Sequence, residues 1–221
     1  MQKFDTPAPV TVVLDIPGGH VRLIAAERVD TTVEVRPAEA GSGRDARAAE
    51  RTTVDLADGV LRIVTAAAGH QLVGPTGSLE VTVRVPAGSA VRGTAAAAEL
   101  RTVGRLGAVA FDGAYRSTKI DEAASLELSA VDGDVEVGRL TGPARITTTR
   151  GDIRVTEARR GTVELSTRSG NITVGAAAGV SAALDAGTGH GRVDNALRND
   201  GTPALAVRAT TAHGDITARS L

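Results

Sequence analysis

An all-β fold, and within that class a parallel β-solenoid with short rungs, is what the sequence predicts, on three observations. The first is internal repetition. The pattern Gly-[Asp/Asn]-[Ile/Val]-x-[Val/Ala] recurs as Gly133-Asp134-Val135-Glu136-Val137, Gly151-Asp152-Ile153-Arg154-Val155, Gly170-Asn171-Ile172-Thr173-Val174 and Gly214-Asp215-Ile216-Thr217-Ala218. A degenerate copy, Gly191-Arg192-Val193-Asp194-Asn195, lies between the last two, so the five glycines are 18, 19, 21 and 23 residues apart. Units this small cannot bury an apolar face alone; coiling them so that like stacks on like, about 4.8 Å apart, closes the core and satisfies the backbone. The second observation is that the repeats register chemically. Five residues before each glycine stand Leu128, Ile146, Leu165 and Ala209, and two after it Val135, Ile153, Ile172, Val193 and Ile216, which are inward columns. Position minus six reads Glu127, Arg145, Glu164, alternating in sign, and position minus four is a hydroxyl column of Ser129, Thr147, Ser166 and Thr210. The third is the near-absence of rings: Phe4, Phe111 and Tyr115 are the three aromatics of 221 residues. Thin rungs need aliphatic columns that stack on copies of themselves.

From the N-terminus, β-branched runs with period-two alternation place strands at Pro9–Ile16, His20–Ile24 and Thr32–Val35. Ser42–Glu50, with Arg44, Arg47, Ala48 and Ala49, reads as a short helix or a flexible insertion. Strands follow at Val60–Val64 and Leu79–Val85, while Ala95–Ala98 is too short and poorly patterned to assign. Beyond residue 110 each unit is strand, glycine corner, strand and return loop, the first strands being Ser125–Ser129, Ala144–Thr147 and Thr162–Ser166. A weaker copy of the corner appears at Arg116-Ser117-Thr118-Lys119-Ile120. The expected organisation is one domain, 1–221, with irregular rungs over 1–110 and regular ones over 111–221. Right-handed coiling follows from the general preference of parallel crossovers. The corner glycines Gly133, Gly151, Gly170, Gly191 and Gly214 are structural turns, and Phe111 and Tyr115 are expected to pack at the junction before the regular rungs.

Composition removes several function classes. With 25 basic and 26 acidic side chains the formal net charge is −1, which gives no electrostatic reason to expect nucleic acid. Zero cysteines exclude disulfides, thiolate metal sites and thiol catalysis. The near-absence of aromatics removes most base-stacking and sugar-stacking sites. No 18-residue apolar run and no signal-peptide core is present, so no membrane insertion and a cytoplasmic location are expected, with envelope association as the alternative.

Four arrangements could carry chemistry. His190 and His213 each precede a corner glycine, so register places them on one column, where Asp215, Asp194 or Asp185 could complete a small metal or acid–base site. The same column holds Asp132, Arg150 and Ser169, which favours exposed turn residues over ligands. Gly187–Asp194 is one imperfect copy of a calcium-binding solenoid turn, and a bulged corner accounts for it better. Asp134, Asp152 and Asp215 stack as carboxylates of a solenoid glycosidase or lyase would, yet they are also turn residues. Arg139, Arg145, Arg150, Arg154, Arg159, Arg160 and Arg168 cluster, but Glu127, Glu136, Glu157 and Glu164 interleave with them, so a charge-balanced face is the preferred reading. No catalytic residue and no cofactor is assigned.

The serial Gly-Asp-Ile/Val-x-Val units, the segment Ile16-Pro17-Gly18-Gly19-His20-Val21-Arg22-Leu23 and the strand Leu79-Glu80-Val81-Thr82-Val83-Arg84-Val85-Pro86-Ala87 resemble the DUF4097 proteins, bacterial β-strand repeat proteins described as putative adhesins. The resemblance covers nearly the whole chain and implies the fold; it supplies no catalytic residues. The function expected is a non-enzymatic scaffold or protein-interaction module, self-associating through its ends or binding a protein partner. An adhesin for an envelope or carbohydrate ligand is the alternative, and a carbohydrate-active solenoid enzyme comes third. Because the Gly214 repeat lies close to Leu221, its rung is the end expected to be exposed.

Overall fold

The structure, a computed structural model, describes residues 1–67 and 77–221. Its strands are β1 (Gln2–Asp5), β2 (Thr11–Ala26), β3 (Asp30–Pro37), β4 (Thr52–Ala57), β5 (Val60–Thr65), β6 (Leu79–Pro86), β7 (Ala90–Val103), β8 (Arg105–Asp132) and β9 (Val135–Leu140). They continue as β10 (Ala144–Arg150), β11 (Ile153–Ala158), β12 (Gly161–Ser169), β13 (Ile172–Ala176), β14 (Ala182–His190), β15 (Val193–Ala196), β16 (Leu205–His213) and β17 (Ile216–Ser220). The helix, α1, spans Gly43–Glu50. The all-β reading therefore holds, and Ser42–Glu50 resolves as a helix. Ser42 caps it by accepting from the Asp45 N–H, Ala48 is fully buried, and the Asp45 carboxylate accepts from the N–H groups of Glu39 and Ser78. Ala95–Ala98 falls inside β7. Its helix-friendly alanines are overruled by pairing with β2 on one side and β8 on the other.

Alternation sets which side of each strand is dry. In β10, Ala144, Ile146 and Thr148 are buried while Arg145 and Thr147 are exposed. Two parallel faces result, joined at the glycine corners. Face A runs through β5, the first half of β2 and the first half of β7 to β8, and resumes from the end of β8 through β10 and β12. Face B runs through β6, the second halves of β2 and β7, the middle of β8, then β9, β11 and β13. The long β8 makes more than a full turn, serving β7, β9 and β10 in succession.

The last rungs depart from sequence order. β16 pairs with β12 on one side and β14 on the other, and β17 lies between β13 and β15 in the same way. The chain thus lays down the β14–β15 rung, returns through residues 197–204, and inserts β16–β17 beneath it. The rung left at the end is Ala182–Ala196, not the Gly214 repeat, which corrects the expected identity of the exposed end. Chemistry explains the choice. Insertion continues the charge column as Glu127–Arg145–Glu164–Arg208–Asp185, opposite signs at every step, whereas sequence order would set Glu164 against Asp185. It also puts Ile216 inside, 1% exposed, and leaves the poorer core residue Val193 at the end, 46% exposed.

The opposite end carries antiparallel strands. β4 folds back on β5, β3 pairs antiparallel with β6, and β1 antiparallel with β3. α1 lies against β3 and β6.

Candidate functional site

The corners carry a ladder of side-chain to backbone hydrogen bonds that explains the Gly-Asp/Asn signature. The Asp134 Oδ1 accepts from the Asp152 N–H at 2.9 Å, Asp152 from Asn171 at 2.7 Å, Asn171 from Asp215 at 2.8 Å, and Asp215 from Arg192 at 2.8 Å. Each carboxylate or amide thus satisfies the next rung, and the series stops at Arg192, which has no acceptor to offer. A second ladder runs inside it. The hydroxyls of the buried Thr167 and Thr211 and of the half-buried Thr188 donate to the carbonyls of Gly151, Gly170 and Gly214 respectively. Three threonines standing three residues before a glycine were the sequence signal for this column. Replacing Asp152 by Ala is expected to cost about 1 kcal/mol in urea unfolding, since the Asn171 N–H loses its acceptor, with Asp152→Asn close to wild type.

These bonds decide what the repeated carboxylates and histidines can do. Asp134, Asp152 and Asp215 stack as the sequence predicts, with one oxygen of each occupied by a backbone donor. His190 and His213 come together on adjacent strands, ring centroids 4.9 Å apart and 18° from parallel. Asp215, the third metal candidate, is held by Arg192 in the corner ladder. Among the described residues no three His, Cys, Asp or Glu side chains are grouped to hold a metal ion. The stacked imidazoles lie beside the corner of the terminal rung. There β14 and β15 each have one strand partner, so one side of each backbone faces outward.

Of the clustered arginines, Arg139, Arg145 and Arg150 are paired across strands and Arg159 pairs locally with Glu157. Arg145 meets Glu164 at 2.6 Å, Arg208 meets Glu164 at 3.3 Å, and Arg139 bridges Glu122 at 3.2 Å and Glu157 at 3.5 Å. The hydrogen bond from Arg159, then the charge of Arg139, holds the Glu157 carboxyl below the usual carboxylate range. A concavity of about 920 Å³ crosses face A between Arg62, Arg92, Glu127 and Arg145 and is lined with both signs.

Face B breaks this pattern at one place. Arg22, Arg101 and Lys119 occupy one outward row on the adjacent strands β2, β7 and β8. Like charges in register cost about 0.2–1 kcal/mol per pair. Lys119 is relieved by Glu136 at 3.0 Å, while Arg22 and Arg101 make no ion pair among the described residues. In the next row His20 Nε2 lies 3.5 Å from Glu99. Opposite Glu99, between the pairs Ala98–Ala114 and Leu100–Thr118, β8 bulges through Tyr115, Arg116 and Ser117. Arg116 holds φ 71° in the column that Gly133 occupies one rung later, a conformation costing an L-residue about 1–2 kcal/mol. Tyr115 is 40% exposed there, which overturns its expected packing role. Phe111 does pack, 3% exposed over Gly93, so one of the two junction aromatics is core and the other faces solvent.

Parallel rungs joined at glycine corners define the class, a β-solenoid. The chain belongs to the Toastrack DUF4097 family, whose pattern matches residues 10–219. No curated protein matches it. Similar solved structures include a putative cell adhesion protein from Clostridium sporogenes, 10% identical, TM-score 0.45, covering 100% of this chain and 98% of that one. A putative adhesin from Parabacteroides distasonis is 13% identical with TM-score 0.45, covering 98% and 95% of the two chains. One from Bacteroides fragilis is 9% identical with TM-score 0.35, covering 98% and 95%. No helix among the described residues is long and apolar enough to cross a membrane.

Proposed function

We infer that the chain is a non-enzymatic binding module that associates with a second copy of itself through the open rung. The observation that carries this reading is the Ala182–Ala196 rung, in which β14 and β15 have one strand partner each and Val193 is half-exposed. The edge residues 182–196 include no lysine and no proline, the usual guards of an open strand. Small residues, Ala183, Gly187 and Gly189, allow close approach, and a two-fold antiparallel pairing of β14 with its copy closes on itself as a dimer. Light scattering at the highest soluble concentration should give twice the 22.4 kDa chain mass, and the double variant A183K/V193K should return it to one. A wild-type protein that stays at one chain mass under those conditions removes this reading.

An adhesin for an envelope or carbohydrate ligand is the second reading. The names of the similar structures agree with it, and in this chain the cationic row on face B favours it.

A further inference from the structure

We propose that the corner of face B formed by Arg22, Arg101, Lys119, Tyr115 and Arg116 binds an acidic polysaccharide, one carrying carboxylate or sulfate groups along an extended chain. The proposal deepens the adhesin reading by naming its ligand class and rests on that reading alone, independently of any dimer.

Two separate departures from the chain's own rules meet here. Face A alternates sign through five rungs, so the sequence can avoid like-charge contacts, yet Arg22, Arg101 and Lys119 repeat one sign across three strands. The corner column is glycine on the later rungs, yet this rung places Arg116 in the left-handed region. Strain retained at one spot, with the surrounding sheet holding it, is a mark of a working site. The bulge turns Tyr115 and Arg116 out of the pleat toward the row headed by Glu99 and His20. A shallow corner cleft of about 320 Å³, lined by His20, Tyr115 and Arg116 and by the carboxylates of Glu39, Asp45 and Glu99, borders that row.

The shape selects a polymer. The three row cations stand on successive strands about 4.8 Å apart, a straight file rather than a cup, so they suit charges repeated along a chain. Guanidinium groups pair with planar carboxylate and with sulfate through two N–H donors each. Tyr115, which lines the cleft and is 40% exposed, supplies an aromatic ring against which a sugar ring can lie. Of the acidic groups nearby, Glu99 lies against His20, Glu136 pairs with Lys119, Asp121 accepts from the Gly104 N–H and Asp45 from the Glu39 and Ser78 N–H groups, while Glu39 and Glu80, the strand neighbour of His20, make no ion pair among the described residues. A polyanion would remove the repulsion between Arg22 and Arg101, and the ligand and the fold would then favour the same arrangement.

The test is calorimetric titration of the full chain with polygalacturonate and with heparin in low salt, with neutral dextran and linear polyphosphate as comparators. Wild type binds one or both acidic polysaccharides, and R22Q or R101Q weakens binding about tenfold, the loss of one charge-assisted pair. R116G weakens binding while raising Tm by about 2–4 °C, a combination that a purely structural arginine would not give. Y115A weakens the polysaccharides and spares any polyphosphate binding, and R62Q on face A changes nothing. The site is rejected if wild type binds neither acidic polymer, or if R101Q and R116G bind as wild type does. Binding of dextran alone keeps an adhesin and removes the anionic site. Polyphosphate binding as tight as polysaccharide binding, with Y115A neutral for both, overturns the glycan assignment.

Discussion

Gly151→Val is expected to cost about 4 kcal/mol or more, enough to abolish cooperative urea unfolding of the coil, while Arg154→Ala, three residues on, stays within about 0.5 kcal/mol. Gly151 has φ 126°, and a Cβ built there would stand 2.2 Å from the Gly133 carbonyl oxygen. That oxygen belongs to the backbone of the neighbouring corner, so no side-chain rotation relieves the clash. The conformation alone would cost a β-branched residue about 1–3 kcal/mol. Relieving the contact means separating two rungs at a point where the Gly133 N–H donates to the Arg150 carbonyl and the Asp152 N–H donates to the Asp134 Oδ1. Arg154 is exposed, with Glu136 and Thr173 as its strand neighbours. Equal tolerance at the two positions in far-UV circular dichroism would contradict the register.

Ile172→Ala should lose about 3–4 kcal/mol, whereas Val193→Ala in the same column should lose less than about 1 kcal/mol. Both residues stand two places after a corner glycine. Ile172 is fully buried between Ile153 and Ile216, and its truncation leaves a hole that stacked strands on both sides cannot collapse. Val193 has Ile216 on one side only and is 46% exposed. Stacking in sequence order would instead make Val193 an interior residue between Ile172 and Ile216. Comparable losses at the two sites would therefore reject the inserted rung, and denaturant midpoints at constant m-value are the measurement that decides it.

The regular rungs were legible because their columns have one chemistry each. Leu128, Ile146 and Leu165 pair as registered, and so do Glu127, Arg145 and Glu164. The insertion was also written in the residues, although no single repeat shows it. Arg208 can sit between Glu164 and Asp185 without like-charge contact, and Arg192 lacks the acceptor that Asp215 and Asn171 pass on. Reading repeats in chain order hid both signals. The cationic corner was hidden for a different reason. Arg22, Arg101 and Lys119 lie far apart in the chain, and the register that aligns them depends on β7, whose alanines carry no strand signature. Tyr115 sits where β8 shifts register, and alternation cannot place a residue through a bulge.

The inserted rung also orders events during synthesis. Strands β5 to β13 can add to the coil as they emerge, each finding a neighbour already made. β14 and β15 cannot, because the strands they pair with among the described residues, β16 and β17, follow them in the chain. A nascent chain therefore holds Ala182–Ala196 without these partners until residues 205–220 have emerged, and their arrival locks the terminal rung in place. Losing residues 205–220 would remove an interior layer of the coil, although they are made after the rung that covers them.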